Sequence, residues 1–169
     1  MVTVSATKTR SATSQARSIV IAGLVIGVVG GLDQTTFFVL TQHFTPVSIF
    51  QYIASGLLGA AAFAGGYTTA LLGLLIHFVI SFVVAGVFIV AASRIAFLRR
   101  TALPSAMIYG AAVNMFMSVA VLPFSKAPPI PVSTLLVVHG LVADAIFVGL
   151  PLAITVWQSD RAHKSSITA

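Results

Sequence analysis

The sequence predicts an all-α integral membrane protein with four transmembrane helices and one short outer helix, which is either interfacial or re-entrant. Of its 169 residues, 58% are hydrophobic and only 7% are charged, whereas charged residues make up about a quarter of a soluble domain. Four apolar runs have the length that a helix needs to cross a bilayer. Basic residues are concentrated in alternate connections, as expected for a protein with several spans.

The first span is expected at about 18–41. Gly30 lies in a stripe of small residues, where another helix can approach closely. The other members of the stripe are spaced four residues apart: Gly23, Gly27 and Gly31. Asp33 and Gln34 follow directly. A carboxylate inside a spanning helix is costly unless it is paired or protonated, so we expect other helices to supply partners for it.

A secretory signal peptide is the competing interpretation of residues 1–34, with Lys8, Arg10 and Arg17 as its basic region. However, the apolar run is longer than the apolar region of a signal peptide, and no Ala-x-Ala cleavage site follows it. We therefore expect a disordered cytoplasmic tail over 1–17, followed by a span that is retained.

The connection 42–66 contains no Lys, Arg, Asp or Glu and is largely apolar. Thr45 can cap a helix that begins at Pro46, and Gly65-Gly66 can end it before the second span. These signals predict an outer helix over about 46–62, too short to cross the bilayer. A structural lid is the favoured interpretation, and a hairpin that lines a pore or substrate site is the alternative.

The remaining spans are expected at about 67–93, 104–124 and 134–157. A C-terminal tail, 158–169, follows them. Basic residues number three, none, three, one and two in the successive segments outside the spans. The positive-inside rule therefore places both termini and the connection 94–101 in the cytoplasm, and we expect the bacterial inner membrane as the location.

Most polar residues inside the spans fall on faces rich in small residues. Such faces are expected to meet in the interior, because a lipid-facing polar group would lack partners. The expected intramembrane cluster consists of Asp33, Gln34, His77, Asn114 and Asp144. The small residues expected to pack beside it on the later helices are Gly73, Gly110 and Gly140. His139 is left out, since it lies roughly 140° around the helix from Asp144.

Several kinds of chemistry are disfavoured. The chain has no cysteine and therefore no thiol nucleophile, disulfide or cysteine metal site. It also has no phosphate-binding glycine loop, no G-x-S-x-G and no H-E-x-x-H motif. A bis-histidine haem would need His77 and His139 at one depth, but they differ by roughly 7 Å along the membrane normal. We expect no metal and no cofactor.

A group of short motifs resembles those of small bacterial inner-membrane proteins of unassigned function and, more distantly, the YagU family. These motifs are ASGLLG at 54–59, AFAGG at 62–66, LGLLIHF at 72–78, AVLP at 120–123 and HGLVAD at 139–144. The shared plan is a histidine in a span, a proline that ends the third span, and a histidine followed by an acid in the last. The resemblance implies a four-helix inner-membrane protein and implies no particular reaction.

Three functions follow from these patterns, in order of preference. The first is a small proton- or ion-linked transport or sensing protein, in which Asp33 and Asp144 titrate. The second is a non-catalytic structural or assembly subunit of a membrane complex. The third is an intramembrane enzyme or haem protein. The expected partners are the lipid bilayer and either a second copy of the chain or another membrane protein, with no nucleic acid.

Overall fold

The computed structural model describes the backbone of residues 12–168 and the side chains of residues 13–161. This part of the chain is helical throughout, with short connections and no strand. Its first half contains α1 (Ala12–Gln42), α2 (Pro46–Leu58), a 3₁₀ helix (Gly59–Ala64) and α3 (Gly66–Arg94). Its second half contains α4 (Ala96–Arg100), α5 (Ala102–Phe116), a π-helical turn (Met117–Val121), α6 (Leu122–Phe124), α7 (Thr134–Phe147) and α8 (Gly149–Thr168).

The helices at both ends of the chain are longer than the spans expected from the sequence. α1 begins at Ala12, so residues 12–17 are helical and not a disordered tail. Ala, Gln and Arg in this stretch favour a helix and extend it beyond the apolar run. Residues 1–11 of the expected tail lie outside the described residues. α8 continues to Thr168, through most of the expected C-terminal tail.

Five helical segments within the described residues are long and apolar enough to cross a membrane: Thr13–Gln42, Pro46–Ala64, Gly66–Arg94, Ala102–Phe124 and Thr134–Arg161. Four of them correspond to the expected spans. The fifth is the expected outer helix, which the sequence predicted to be too short. The 3₁₀ turn extends it to 19 residues, so length and composition do not separate four spans from five.

The start of α2 matches the capping signal in the sequence. Thr45 is extended, and its hydroxyl accepts a hydrogen bond from the Ser48 amide at 3.1 Å. The Ser48 hydroxyl in turn accepts from the Thr45 amide at 2.9 Å, which completes a capping box. Pro46 is in the first turn, where its missing N–H costs nothing. The prediction that Thr45 caps a helix beginning at Pro46 is confirmed.

Two prolines interrupt helices that the sequence predicts to be continuous. The Leu122 amide bonds to the Met117 carbonyl, five residues earlier, which widens the helix into a π turn just before Pro123. Pro151 has no N–H and crowds the carbonyl four residues before it. The last span accordingly breaks at Val148, between α7 and α8.

The long helices pack antiparallel to their neighbours. Gln15 near the start of α1 donates to Ser93 near the end of α3 at 3.2 Å. The hydroxyls of Ser18 in α1 and Ser159 in α8 lie 3.1 Å apart. Tyr109 in α5 donates to a carbonyl of α3 at 2.9 Å. One end of the protein, called the arginine end, therefore carries Arg17, Arg94, Arg99, Arg100 and Arg161. The other, called the loop end, carries the connections 43–45 and 125–133.

A closely packed apolar core fills the half of the protein nearest the arginine end. Its largest members are almost completely buried, with Leu152 0%, Val156 1% and Ile89 1% exposed. Residues of α1, α3, α5 and α8 form it together. This apolar core consists of Ala22, Ile26, Ala85, Phe88, Ile89, Ala92, Ala102, Ala106, Val148, Leu152, Ala153 and Val156.

Candidate functional site

A carboxylate of α1 faces an imidazole of α7 in the half nearest the loop end. The Asp33 Oδ1 and His139 Nε2 atoms are 3.5 Å apart, with the side chains 18% and 26% exposed. This separation is wider than a direct hydrogen bond but close enough for attraction when the histidine is protonated. The ring of Phe37 stacks on His139, with centroids 3.7 Å apart and planes 12° from parallel. Phe37 lies one turn after Asp33 and holds the imidazole beside the carboxylate.

A second carboxylate connects α7 to α5. The Asn114 side-chain amide donates to Asp144 Oδ2 at 3.1 Å. The backbones of the two helices come into contact at this level, because a Cβ at Gly110 would overlap the Asp144 carbonyl oxygen. At Gly140 a Cβ would lie 2.8 Å from the Asn114 Nδ2. The two glycines therefore allow the amide and the carboxylate to reach each other.

The two pairs are joined by α7. Asp144 lies five residues after His139 on this helix, so the two pairs are at neighbouring levels. We call Asp33, Asn114, His139 and Asp144 the polar cluster. It contains two of the three acidic residues in the chain. Two carboxyls and one imidazole can hold, exchange and release protons, because each group gains or loses a single proton near the others.

His77 belongs to a different contact. Its Nε2–H donates to the Gly27 carbonyl at 2.9 Å, and the same nitrogen would be 3.3 Å from a Cβ at Gly31. The ring also packs edge-on against Phe50 of α2 and Phe78 of α3. The expected cluster is thus divided: Asn114 and Asp144 meet, Asp33 faces His139, and His77 instead fastens α3 to α1.

The small-residue stripe of α1 is only partly an interface. Cβ atoms at Gly23 and Gly27 would collide with the rings of Phe82 and Phe78 of α3. In α3, a Cβ at Gly73 would overlap the backbone carbonyl of Phe50. Gly30 is different, because a Cβ there would meet no atom within 4 Å. We therefore place Gly30 beside open space and not in a close contact.

Gln34 is partly exposed. Its side chain has no hydrogen-bond partner among residues 13–161. By the ~100° rotation per residue, Gln34 lies on the stripe that faces α3, and Gly30 lies between that stripe and Asp33, which faces α7. The space beside Gly30 is open for 4 Å around a Cβ, and we call it the gap beside α1.

Metal or haem binding depends on which donor side chains the helices bring together. No group of three or more His, Cys, Asp or Glu side chains that could hold a metal occurs among the described residues. The two histidines of the expected haem alternative are directed elsewhere, His77 to the Gly27 carbonyl and His139 to Asp33.

Comparison of the chain with protein-family models, with curated proteins and with solved structures finds no match. The functional argument therefore depends on the geometry of this chain alone.

Sequence reasoning missed two features of the site. It excluded His139 because of its angle from Asp144 around the helix and because of its position near the outer end of the span. That angle is the reason they face different neighbours, α1 and α5. The shared depth of His139 and Asp33, both near the loop end, was the available signal. The π turn, which begins three residues after Asn114, was also missed. Such turns often occur near functional sites.

Proposed function

We propose that this chain is a small proton-linked transport or sensing protein in which Asp33 and Asp144 exchange protons. The observation that carries the proposal is the pairing of a carboxyl with an imidazole, 3.5 Å apart on different helices. A second carboxyl, Asp144, lies on the same helix as the imidazole and is bonded to Asn114. Ionisable groups are expensive inside apolar helices. Carboxyl and histidine side chains placed in this way inside spans are typical of proton relays.

The proposed membrane arrangement has four spans and a fifth helix that lies at, or dips into, the outer face. The contacts Gln15–Ser93 and Gly27–His77 support it, because they align α1 with α3 in antiparallel register. The end of α1 and the start of α3 are then at the same level. The segment 43–65 begins and ends on one side, as an interfacial or re-entrant helix does.

The proposed orientation has both termini and the arginine end in the cytoplasm of a bacterium, with the inner membrane around the helices. Five arginines at one end and a single basic residue, Lys126, in the connections at the other support this orientation. We also propose a distant relation to the YagU family. It implies the four-span plan and no activity.

A membrane-subunit function without proton exchange is the second candidate. The observation that favours it is that two hydrogen bonds of the intramembrane polar residues cross between helices, Asn114 to Asp144 and His77 to the Gly27 carbonyl. Contacts of this kind stabilise helix packing by ~0.6 kcal/mol each. The polar residues would then only set the register of the helices for binding to a second copy or to another membrane protein.

Proton flux in proteoliposomes distinguishes the two candidates. The purified protein is reconstituted around a trapped pH-sensitive dye, and flux under an imposed pH gradient is compared for wild type, Asp144→Asn and Asp160→Asn. Asp160→Asn is the matched control, because it makes the same chemical change outside the polar cluster. We expect wild-type and control flux well above empty liposomes and no flux from Asp144→Asn. Wild-type flux equal to that of empty liposomes would overturn proton transport, as would unchanged flux from Asp144→Asn.

A further inference from the structure

The gap beside α1 is bordered by polar or unobstructed positions. Gly30 has no neighbour within 4 Å of a Cβ, and Gln34 has no hydrogen-bond partner in the described part of the chain. Asp33 at the same level is partly exposed. A polar space with unpaired donors and acceptors is the kind that water occupies, whereas apolar cavities stay dry.

Towards the arginine end this space is closed. Directly below the polar cluster, α1, α3 and α8 contribute Ile26, Phe88 and Leu152, which are at most 4% exposed. All members of the apolar core lie between the polar cluster and the arginine end. A proton that reaches Asp144 therefore meets closely packed aliphatic and aromatic side chains on that side.

The side opening between α3 and α5 also excludes water. A groove of about 520 Å³ runs along this seam, and its lining is almost wholly apolar. Typical lining residues are Val83 on α3, Phe116 on α5 and Met117 in the π-helical turn. In a bilayer such a surface contacts acyl chains, so it offers protons no path to the polar cluster.

We infer that the gap is a water-filled vestibule that exchanges protons only with the loop end of the protein, where Asp33 and His139 receive them first and Asp144 second. The role of the vestibule in proton exchange rests on the proposed function, whereas its position follows from the geometry of the helices alone. It assigns the protein a single accessible face: in this conformation it takes up protons from outside and does not pass them to the cytoplasm. A transport cycle would require a second conformation in which the apolar core separates, while a sensor of external pH would need no such state.

The chain is free of cysteine, so single introduced thiols can report water access without background. Gly30→Cys places a thiol in the vestibule, Ala153→Cys places one in the apolar core, and Val28→Cys places one on an exposed lipid-facing position of the same helix. Each variant is reconstituted in vesicles sorted by orientation. A membrane-impermeant maleimide is then added on one side at a time. If Gly30→Cys fails to fold, Gln34→Cys replaces it at the same gap.

With reagent on the loop-end side, we expect Gly30→Cys to react at least ~10-fold faster than the other two variants, because maleimide attack follows thiolate exposure to water. With reagent on the arginine side, all three should be slow. A vestibule thiol as slow as Ala153→Cys would overturn the inference, and so would labelling from the arginine side. Rapid loop-end labelling in a protein without flux would retain the vestibule and reject proton transport. Proton flux in a protein whose Gly30→Cys thiol is not labelled would retain proton transport and reject the vestibule.

Discussion

The apolar core and the polar cluster are built by the same long helices, yet they differ in packing and in access. Near the arginine end the helices meet through alanine and aliphatic side chains, and Leu152 and Ala106 are completely buried. Near the loop end α2 packs on the start of α3, with Ala54 0% exposed, while Asp33 and His139 between α1 and α7 stay partly exposed. The comparison teaches that α1, α3, α5 and α8 are held together mainly in the arginine-end half. This leaves the contact between α1 and α7 near the loop end free to keep ionisable groups accessible.

The largest expected effect comes from the place where the two halves join. Gly110→Leu would drive a side chain into the Asp144 backbone carbonyl, which cannot rotate away as a flexible side chain can. We expect a loss of about 4 kcal/mol or failure to fold. The measurement is the thermal unfolding of purified protein in detergent.

Gly30→Leu is the matched control, because a Cβ there meets no atom within 4 Å. It should change stability by no more than about 0.5 kcal/mol. Equal losses from the two variants would show that the vestibule is packed and that the contrast between the halves is false.

The second-largest expected effect is the loss of stability when a side chain of the apolar core is truncated. Leu152→Ala removes a side chain that is 0% exposed and leaves a cavity, at an expected cost of about 3 kcal/mol. Val138→Ala, at a position 52% exposed on α7, should cost less than about 0.5 kcal/mol. If Val138→Ala proved the more damaging in chemical denaturation, α7 would have to be buried by a second copy or a partner.

A small effect is expected in the polar cluster. Asp33→Asn keeps the shape and an oxygen that can accept from His139, so its cost should stay below about 1 kcal/mol. Stability is measured by the same thermal assay at neutral pH. A loss as large as that of Leu152→Ala would mean that the cluster is a structural anchor, in line with the subunit function.

Much of the fold could be predicted from local signals. Thr45 and Pro46 mark the start of α2, and the four long apolar runs coincide with helices, because capping and hydrophobic length act within a few residues. The positions at which the helices are interrupted could not be predicted so well. Pro151 and Pro123 lie inside apolar runs that are long enough to span, and only the packed structure shows how far each disturbs its helix.

The site was harder to predict, because its contacts depend on which helices are neighbours. The small residues around Gly110 and Gly140 correctly suggested a close approach near Asn114. The partner of Asp33 was missed, since the order of helices around the interior is not encoded in the period of any one helix. The same reason explains Gly30, which is three residues after Gly27 at the edge of the stripe and faces open space.

The most direct test of the account is infrared spectroscopy of the carboxyl groups across pH. The chain has only three acidic side chains, so the carbonyl band of protonated acids can be assigned with two variants, Asp33→Asn and Asp144→Asn. We predict a band that grows on acidification, shifts in deuterated water because water reaches the vestibule, and shrinks in each variant. A band that neither substitution changes would contradict the central claim that these two carboxyls exchange protons.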